Sequence, residues 1–372
     1  MGYRAATIGR TGRGDYGHSL EMSWVGLPDV DYVAIADEDE AGRASAAERT
    51  GARAAYADYR QMLAAERPDL VAVAPRWLDC HADMAIACAE AGVRGVLCEK
   101  PLARSPAEAD AMLEACLQAG TRIAIAHQAR VTPPVLAARQ MVQDGAIGRL
   151  LTMQAAGKED VRGGGEDLMV LGTHFLDLMC FFAGRPSWCM ADVTVGGRPL
   201  APKDVRLGPE GIGPMAGDQV LAVYGFDGGV RGQFRSFRGL PGGARRMGVD
   251  LYGSEGILSI RGSNRREVYW LRSGLWAPGD QSRWEAVEVP SWEALPVEQR
   301  LVQTNRWLAW DLVRAVEEGR EPVSSGADGR VALEMILAAY ASAIHGRRVA
   351  LPLASREHPL ERLHIGGESG AR

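Results

Sequence analysis

The sequence predicts a two-domain α/β protein, in which a doubly wound parallel sheet is followed by an α+β domain with a mostly antiparallel sheet. Three observations lead to this prediction. Short apolar strands alternate with helical segments up to residue 126, closely spaced strands with glycine turns follow between residues 188 and 290, and 372 residues are enough for two domains.

The first domain is predicted from five apolar segments and the amphipathic segments between them. The apolar segments are YRAATIG, DYVAIAD, LVAVAP, GVLCEKP and RIAIAHQ. Most of them are too apolar to expose a face to water, which is typical of strands in a parallel sheet covered on both sides. Helices are predicted over 40–50, 57–65, 79–91 and 106–119. Right-handed crossovers through such helices give a doubly wound sheet.

The second domain is predicted from hairpin signals among further helices. The sequences FDGG and GSEG each separate two alternating apolar segments, and glycine and aspartate tolerate the positive φ of hairpin turns. Successive hairpins indicate an antiparallel sheet. Helices are predicted over 133–145, 167–183, 300–318 and 328–345.

The predicted domain boundaries follow these patterns. We expect a dinucleotide-binding domain over 1–126, a substrate and oligomerisation domain over 127–354, and a polar tail over 355–372 that forms an arm or is disordered. The segment 199–216 is rich in proline and glycine and is predicted to be an ordered loop near the second sheet.

Composition excludes several classes of partner. A formal net charge of −5 gives no electrostatic reason to expect nucleic acid or an anionic membrane. The N-terminus lacks a long apolar stretch typical of a secretory signal, and no apolar run is long enough to span a bilayer. The six cysteines contain no CxxC pair and lie in apolar surroundings, which indicates reduced thiols in a cytoplasmic protein without a metal site.

A glycine loop after the first strand indicates a dinucleotide site. Gly12, Gly14 and Gly17 match the pattern G-x-G-x-x-G, with a strand before them and a helical pattern after them. Such a loop lets the backbone approach a pyrophosphate, which lies on the N-terminus of the helix. The strand ends at Gly9, so the loop is longer than usual, and either Gly9 or Gly12 could be the first glycine of the motif.

The second strand ends at Asp37, where a carboxylate can accept hydrogen bonds from both ribose hydroxyls and repels a 2′-phosphate. This favours NAD as the cofactor. Arg10 and Arg13 in the glycine loop could hold a phosphate, so NADP stays open. The alternative interpretation is a tight turn followed by a solvated acidic helix start, DEDEAG.

The sequence CEKP places Glu99, Lys100 and Pro101 at the carboxyl end of a strand, which is the edge where open parallel sheets bind ligands. Pro101 ends the strand, and the bond before a proline is the kind that can be cis. A lysine ammonium at this edge can hydrogen-bond a substrate hydroxyl and favour a developing alkoxide. The alternative is an ordinary surface lysine.

The apolar run over 168–182 contains, apart from cysteine, two ionisable side chains, His174 and Asp177. On a helix they lie one turn apart on one face. Because burying either alone would cost several kcal/mol, we expect them to contact each other, a ligand or polar backbone. Imidazole suits proton transfer at neutral pH, with Asp177 orienting the ring. The alternative is a structural histidine, with Asp177 in a capping or inter-domain bond.

Taken together, the glycine loop, Asp37, CEKPLA and GGG…GTHFLD resemble the Gfo/Idh/MocA family, which includes glucose–fructose oxidoreductase and inositol dehydrogenase. HADMAIACAEAG, QARVTPP and GAIGRL extend the resemblance over most of residues 3–350. It implies an N-terminal Rossmann domain and a C-terminal domain with an open sheet, whose exposed face forms a homodimer or homotetramer. It also implies NAD(P)-dependent oxidation or reduction of sugars, cyclitols or their derivatives. Lys100 matches the family's catalytic lysine and His174 its catalytic histidine.

The chain departs from the family pattern at Val170, where relatives commonly carry an aspartate one helical turn before the histidine. Glu166, Asp167 or the segment 158–160 could replace that carboxylate, or the proton could take a different path.

A second departure lies in VAVAPRWLDCHAD, where relatives usually have an asparagine after the proline and a histidine two residues closer. This loop borders the nicotinamide pocket in the family. We therefore expect Pro75, Arg76, Trp77 and His81, together with Glu99 and Lys100, to contact the cofactor.

Three functional hypotheses follow. The first is a dehydrogenase for a sugar-like alcohol that uses Lys100, His174 and Asp177. The second is a redox-neutral, NAD-dependent enzyme that oxidises a glycoside transiently, eliminates the aglycone and re-reduces the product; net release of NADH separates these two. The third is a nucleotide-sensing or assembly protein with little turnover.

Overall fold

The computed structural model describes residues 2–262 and 266–366. It consists of two packing units, each built from several chain segments. The first unit comprises Met1–Val131, Pro209–Gly213 and Gln299–Arg330, and the second comprises Thr132–Gly208, Pro214–Glu298 and Val331–Arg372. The predicted domain boundaries after residues 126 and 354 stay predictions, whereas these units are discontinuous along the chain.

The first unit contains a parallel sheet of six strands in the order β3-β2-β1-β4-β5-β6. The strands are β1 (Tyr3–Ile8), β2 (Val30–Ala36), β3 (Ala54–Tyr56), β4 (Leu70–Val73), β5 (Gly95–Cys98) and β6 (Arg122–Ile125). The predicted doubly wound sheet is confirmed. Strand β3 was not predicted, because three residues are too few to establish a β pattern.

Four α-helices connect these strands: α1 (Glu40–Thr50), α2 (Tyr59–Glu66), α3 (His81–Glu90) and α4 (Pro106–Ala119). The ends of α4 illustrate how local sequence sets the bounds. Ser105 Oγ accepts the N–H of Glu108 at 3.2 Å, Pro106 occupies the first turn, and Gly120 ends the helix with a φ of 72°.

The second unit contains a mixed sheet of ten strands in the order β17-β16-β15-β14-β7-β13-β12-β8-β18, with β9 paired to β8. Its strands are β7 (Leu150–Ala156), β8 (Trp188–Val195), β9 (Arg198–Pro199), β12 (Gln219–Gly225), β13 (Arg231–Phe237), β14 (Gly248–Gly253), β15 (Ile257–Arg261), β16 (Glu267–Leu271), β17 (Trp284–Ala286) and β18 (Val349–Ala350). β10 (Arg206–Leu207) and β11 (Pro214–Met215) form a separate pair. All neighbours in the large sheet are antiparallel except β7 and β13.

The two predicted hairpin turns are confirmed, since FDGG joins β12 to β13 and GSEG joins β14 to β15. Strand β7 was missed by the sequence analysis. It lies between β14 and β13 in the sheet, so its partners are far from it along the chain.

The remaining helices are α5 (Pro133–Gln143), α6 (Gly165–Val170), α7 (Gly172–Ala183), α8 (Pro290–Glu293), α9 (Val297–Glu318), α10 (Gly326–His345) and α11 (Pro359–Gly366). The single helix predicted over 167–183 is wrong, because the chain is interrupted at Leu171 between α6 and α7. Part of the predicted tail forms α11, whose Leu360 is fully buried, and residues 367–372 lie outside the described residues.

Helix α9 contributes to the hydrophobic core of the first unit. Leu308, Leu312 and Val313 belong to the same buried cluster as Leu70 of β4 and Leu97 of β5. Because burial of apolar surface is the main favourable term in folding, this contact places the segment 299–330 in the first unit despite its position late in the chain.

All six cysteines are free thiols, five of them buried. Burial raises the pKa of Cys80 to about 11, and burial likewise raises the pKa of Cys116 to about 11. Within the part of the chain that the structure describes, no helix combines the length and the apolarity that a membrane span requires.

Candidate functional site

The carboxyl edge of the parallel sheet brings together the candidate residues of the first unit. Gly9 follows β1, Asp37 follows β2, Pro75 lies just beyond β4, and Glu99 and Lys100 follow β5. Since parallel strands end at a common edge, these separate segments meet there, as the sequence analysis predicted.

Glu99 is a buried carboxylate beside His18 and Lys100. Its side chain is fully buried, one carboxylate oxygen contacts His18 Nδ1, and the other accepts the backbone N–H of Lys100. Burial by itself would raise the pKa of Glu99, but the charges of His18 and Lys100 and their hydrogen bonds outweigh burial and lower this pKa to about 2. Glu99 is therefore ionised at neutral pH.

Lys100 is 4% exposed and its peptide bond to Pro101 is cis. This burial contradicts the alternative of an ordinary surface lysine. A buried ammonium requires a compensating charge, and the neighbouring Glu99 carboxylate supplies it. The catalytic role of Lys100 stays a prediction.

The segment after the glycine loop does not form the predicted α-helix. Gly17–Trp24 makes 3-10 turns, interrupted by left-handed conformations at His18 (φ 52°) and at the next residue (φ 59°). The Gly17 N–H donates to Ala74 O at 2.7 Å, and Asn305 Nδ2 donates to His18 O at 2.8 Å. The carbonyl group of His18, which a regular helix would use, thus bonds to a side chain. The predicted α-helix after the glycine loop is wrong, and the binding of a pyrophosphate at this loop stays a prediction.

The glycines of the loop have different surroundings. A Cβ on Gly14 (φ 98°) would lie 2.5 Å from Trp77 N, so this position requires glycine for packing against the loop after β4. Gly12 (φ 78°) is exposed and has no heavy atom within 4 Å of the position of a Cβ, and its N–H donates to Asp15 Oδ1 at 2.9 Å. Gly9 lies against the ring of Tyr16, 2.2 Å from where its Cβ would be.

Asp37 is 2% exposed, which contradicts the alternative of a solvated acidic helix start at this residue. Its carboxylate accepts the N–H of Thr11 at 3.1 Å, the hydroxyl of Thr11 at 2.7 Å and the N–H of Asp39 at 3.0 Å. Thr11 of the glycine loop thus bonds to the same carboxylate, that of Asp37, which is predicted to bind ribose. Ribose hydroxyls would have to replace the bonds from Thr11.

The loop after β4 is held by a buried histidine. The ring nitrogens of His81 lie 2.7 Å from Pro75 O and 3.0 Å from Pro101 O. His81 is fully buried and therefore fixes the loops after β4 and β5 relative to each other. Its predicted contact with a cofactor stays a prediction.

The exposed cations near the glycine loop are compensated by carboxylates. Arg13 bonds to Asp79 at 2.6 Å, and its guanidinium lies 5.0 Å from the centre of the Trp77 ring. Arg76 forms an ion pair of 3.1 Å with Glu210, which belongs to the segment Pro209–Gly213 of the first unit. Because these pairs reduce the positive potential at the loop, they weaken the argument for NADP.

In the second unit, His174 and Val170 lie on different helices. Val170 is the last residue of α6, whereas His174 lies in α7 and its N–H donates to Leu171 O at 3.0 Å. The predicted one-turn relation between them in a single helix is therefore wrong. Gly172 begins α7, and a Cβ there would lie 3.2 Å from the ring of Phe234 on β13, so close packing against the sheet accompanies the interruption.

His174 and Asp177 both lie in α7, three residues apart and so on one face. Asp177 is fully buried and His174 is half-buried. The structure confirms that the two residues share a helix. Because the carboxyl group of Asp177 is buried, it requires polar contacts. Their catalytic roles stay predictions.

Asp167 in α6 is a buried carboxylate and one of the residues that the sequence analysis named as a replacement for the carboxylate missing at Val170. It accepts Ser236 Oγ at 2.5 Å and the N–H of Glu159 at 3.2 Å, while its Oδ1 is buried without a hydrogen-bond partner among the described residues. Burial raises the pKa of Asp167, and these hydrogen bonds oppose the rise. The sequence indicated an acidic residue after the three glycines. It could not indicate the hydrogen bond to Ser236 on β13, because that bond depends on the fold.

The residues of the first unit fit a pyridine dinucleotide in kind and position. Gly12 is exposed, Asp37 ends β2, and Lys100 ends β5 at the same sheet edge. A Rossmann-type sheet with these features defines a dinucleotide-binding protein. No group of three or more histidine, cysteine, aspartate or glutamate side chains within 2–262 and 266–366 could hold a metal ion.

Comparison with protein-family models identifies the family to which the chain belongs. The model of the Gfo/Idh/MocA oxidoreductase family, NAD-binding Rossmann fold, matches residues 5–127, and the model of the Gfo/Idh/MocA C-terminal domain matches residues 135–259. The two matches cover more than half of the chain. This protein therefore belongs to the Gfo/Idh/MocA family: it is an oxidoreductase, and its first domain binds NAD.

Individual relatives agree with this assignment. D-apiose dehydrogenase of Paraburkholderia graminis is 28% identical over 366 residues, or 94% of this chain and 90% of that protein. Levoglucosan dehydrogenase of Pseudarthrobacter phenanthrenivorans is 28% identical over 297 residues, or 70% of this chain and 75% of that protein. A solved levoglucosan dehydrogenase in complex with NADH has a similar fold, with a TM-score of 0.75 at 24% identity, covering 95% of this chain and all of that one.

The pKa of Glu99 predicts how stability depends on pH. Because this pKa is about 2 in the folded protein and about 4.5 in the unfolded chain, ionised Glu99 stabilises the fold above pH 4.5, and this contribution is lost as the pH falls towards 2. The full contribution is about 3 kcal/mol. Urea unfolding should therefore show the stability difference between wild type and Glu99→Gln shrinking between about pH 5 and pH 2.5.

The exposed Glu90 at the end of α3 offers a matched control. Glu90→Gln should change stability little, and its difference from wild type should vary little with pH. A difference for Glu99→Gln that stays constant over the same pH range would contradict the lowered pKa.

Proposed function

We propose that this oxidoreductase transfers a hydride between a nicotinamide cofactor and the hydroxyl or keto carbon of a sugar, a cyclitol or a sugar derivative. The observation that carries the proposal is the buried Lys100 beside the ionised Glu99, at the edge of the NAD-binding sheet where ligands bind. Two relatives whose names are those of sugar dehydrogenases support the substrate class.

The proposed chemistry gives each candidate residue a separate role. NAD, when bound, supplies the hydride acceptor. Lys100 hydrogen-bonds the reacting hydroxyl oxygen and favours the alkoxide that develops there. Glu99 keeps the lysine charged. His174 accepts the hydroxyl proton and Asp177 orients its ring.

Asp167 is the residue we propose in place of the carboxylate that relatives carry at Val170. Its hydrogen bonds from Ser236 and Glu159 fix its orientation, and its unpartnered Oδ1 leaves one acceptor available for a polar group. In this role Asp167 would position the proton-accepting residue His174 and would not contact the substrate itself.

We place this enzyme in the cytoplasm, since its six free thiols suit a reducing compartment. We also propose a homodimer or homotetramer through the large sheet. Met190 is 53% exposed and Leu221 is 38% exposed, and the register of β8 and β12 places both on one face of the sheet, next to Val223. An exposed apolar patch of this kind is typical of a subunit interface.

Loss of either proposed catalytic residue should reduce activity strongly. A screen of sugars and cyclitols with NAD, followed at the absorbance of NADH, identifies the substrate. On that substrate, Lys100→Met and His174→Ala should each lower kcat/KM by about 10²-fold or more, as expected for a lost charge stabiliser or base.

Lys203→Met and His345→Ala remove the same residue types at exposed positions and should leave kcat/KM near that of wild type. Near-wild-type kinetics for both Lys100→Met and His174→Ala would refute the assignment. Turnover of a glycoside without net accumulation of NADH would favour the redox-neutral alternative.

Asp37 should determine the choice between NAD and NADP. We expect tighter binding of NAD, and we expect Asp37→Ala to narrow the preference by about tenfold or more, because a charged acceptor for the ribose hydroxyls is lost. Titration of both cofactors by fluorescence quenching measures the ratio. Asp31→Ala removes a carboxylate from the exposed start of β2 and should leave the ratio unchanged, whereas an unchanged ratio in Asp37→Ala would refute the role of Asp37.

A charge in the apolar patch should separate the subunits. Leu221→Lys should lower the molar mass measured by light scattering to that of a monomer, because burying an ammonium in an apolar interface costs free energy. Leu207→Lys changes an equally apolar residue that is 80% exposed outside the large sheet and should keep the wild-type mass. A wild-type protein that is already monomeric would disprove the proposed assembly.

A further inference from the structure

The second unit contains a strongly cationic pocket that the proposed chemistry does not use. We call it the arginine pocket. It has a volume of about 310 Å³ and is lined chiefly by Arg235, Arg245, Arg246, Arg261, Gln154 and Asp250. This volume is at the lower end of the range of roughly 300–1,000 Å³ that small-molecule sites occupy.

The register of the large sheet explains why a pocket forms here. Arg235 on β13 lies opposite Ala156 on β7, Ala156 lies opposite Gly248 on β14, and Gly248 lies opposite Arg261 on β15. Directly opposite residues point to the same face of a sheet. Two small residues therefore separate two arginines along one row and leave space between them.

The pocket has an excess of positive charge. Four guanidinium groups are balanced by two carboxylates, namely Asp250 and the fully buried Glu159. Asp250 is used entirely by Arg261, which bonds both of its oxygens at 2.6 and 2.8 Å. Glu159 is shared between Arg246 at 3.1 Å and Arg235 at 3.5 Å. The formal charge that remains is +2.

The pocket contains arginine donors that lack an acceptor among the described residues. Arg246 Nη2 is shielded from solvent and has no hydrogen-bond partner among the described residues, although Nε and Nη1 of the same group bond to Glu159 and Pro241 O. A buried N–H group without an acceptor is costly, which is a reason to expect an acceptor at this position. The exposed guanidinium of Arg245 forms no ion pair within 2–262 and 266–366.

We propose that the arginine pocket binds a small oxyanion, a phosphate- or carboxylate-bearing molecule, through Arg235, Arg245 and the free Nη2 of Arg246. Guanidinium groups match the oxygens of such anions, and hydrogen bonds between ionised partners are stronger than neutral ones. Arg261 acts as a support, since it bonds to both oxygens of Asp250, and Glu159 positions Arg235 and Arg246.

Titration of the full-length protein with inorganic phosphate tests the proposal by isothermal calorimetry, with sodium chloride at the same ionic strength as the reference. We expect saturable binding of phosphate, and a parallel titration with malonate shows whether phosphate or carboxylate oxygens bind more tightly. Arg245→Gln and Arg235→Gln should each weaken binding by about tenfold or more, as expected for a lost charged hydrogen bond. Gln154→Glu, which adds a negative charge to the pocket, should also weaken it.

Arg283→Gln is the matched control, because it removes the same charge from an exposed arginine of the second unit outside the pocket. It should retain wild-type affinity. Affinities that are equal in Arg245→Gln, Arg235→Gln and Arg283→Gln, or no binding beyond that of chloride, would overturn the proposal. Loss of self-association in Arg245→Gln without any phosphate binding would assign the arginines to subunit contact and would also overturn it. Lys100→Met should bind phosphate like wild type, so a failure of the proposed catalytic function would leave this test intact.

Discussion

The buried contact between His18, Glu99 and Lys100 determines how the candidate site of the first unit is built. A carboxylate with no solvent exposure is tolerated because its interactions with His18 and Lys100 outweigh its desolvation. His18, which contacts this carboxylate, has a left-handed conformation, and Lys100 follows the end of β5. The contact therefore joins the segment after the glycine loop to the loop after β5.

Candidate binding groups at the same edge of the sheet bond to one another. Thr11 satisfies the carboxylate of Asp37, and Asp79 satisfies the guanidinium of Arg13. Groups predicted to bind a dinucleotide thus bond to each other, which avoids leaving buried charge unpaired. Cofactor binding would exchange these bonds for bonds to the cofactor, so the affinity depends on the difference between two sets of hydrogen bonds.

In the second unit, function and assembly use different parts of one sheet. Strands β8 and β12 carry the exposed apolar residues Met190 and Leu221, whereas the arginine pocket spans β13, β7, β14 and β15. Helices α6 and α7 carry Asp167 and His174. The proposed interface and the proposed oxyanion site are neighbours on one face of the sheet, since Leu221 of β12 lies directly opposite Arg235 of β13.

The sequence by itself determined the alternation of strands and helices, the hairpin turns and the glycine, aspartate and lysine motifs, since periodicity and turn chemistry are local properties. It could not determine that α9 packs on the first sheet, or that β7 inserts between β14 and β13, because both depend on contacts between distant segments. Likewise, the interruption at Leu171 and the bond between Asp167 and Ser236 were decided by packing against β13. Tertiary structure decides wherever burying a polar or apolar group outweighs the preference of the local chain.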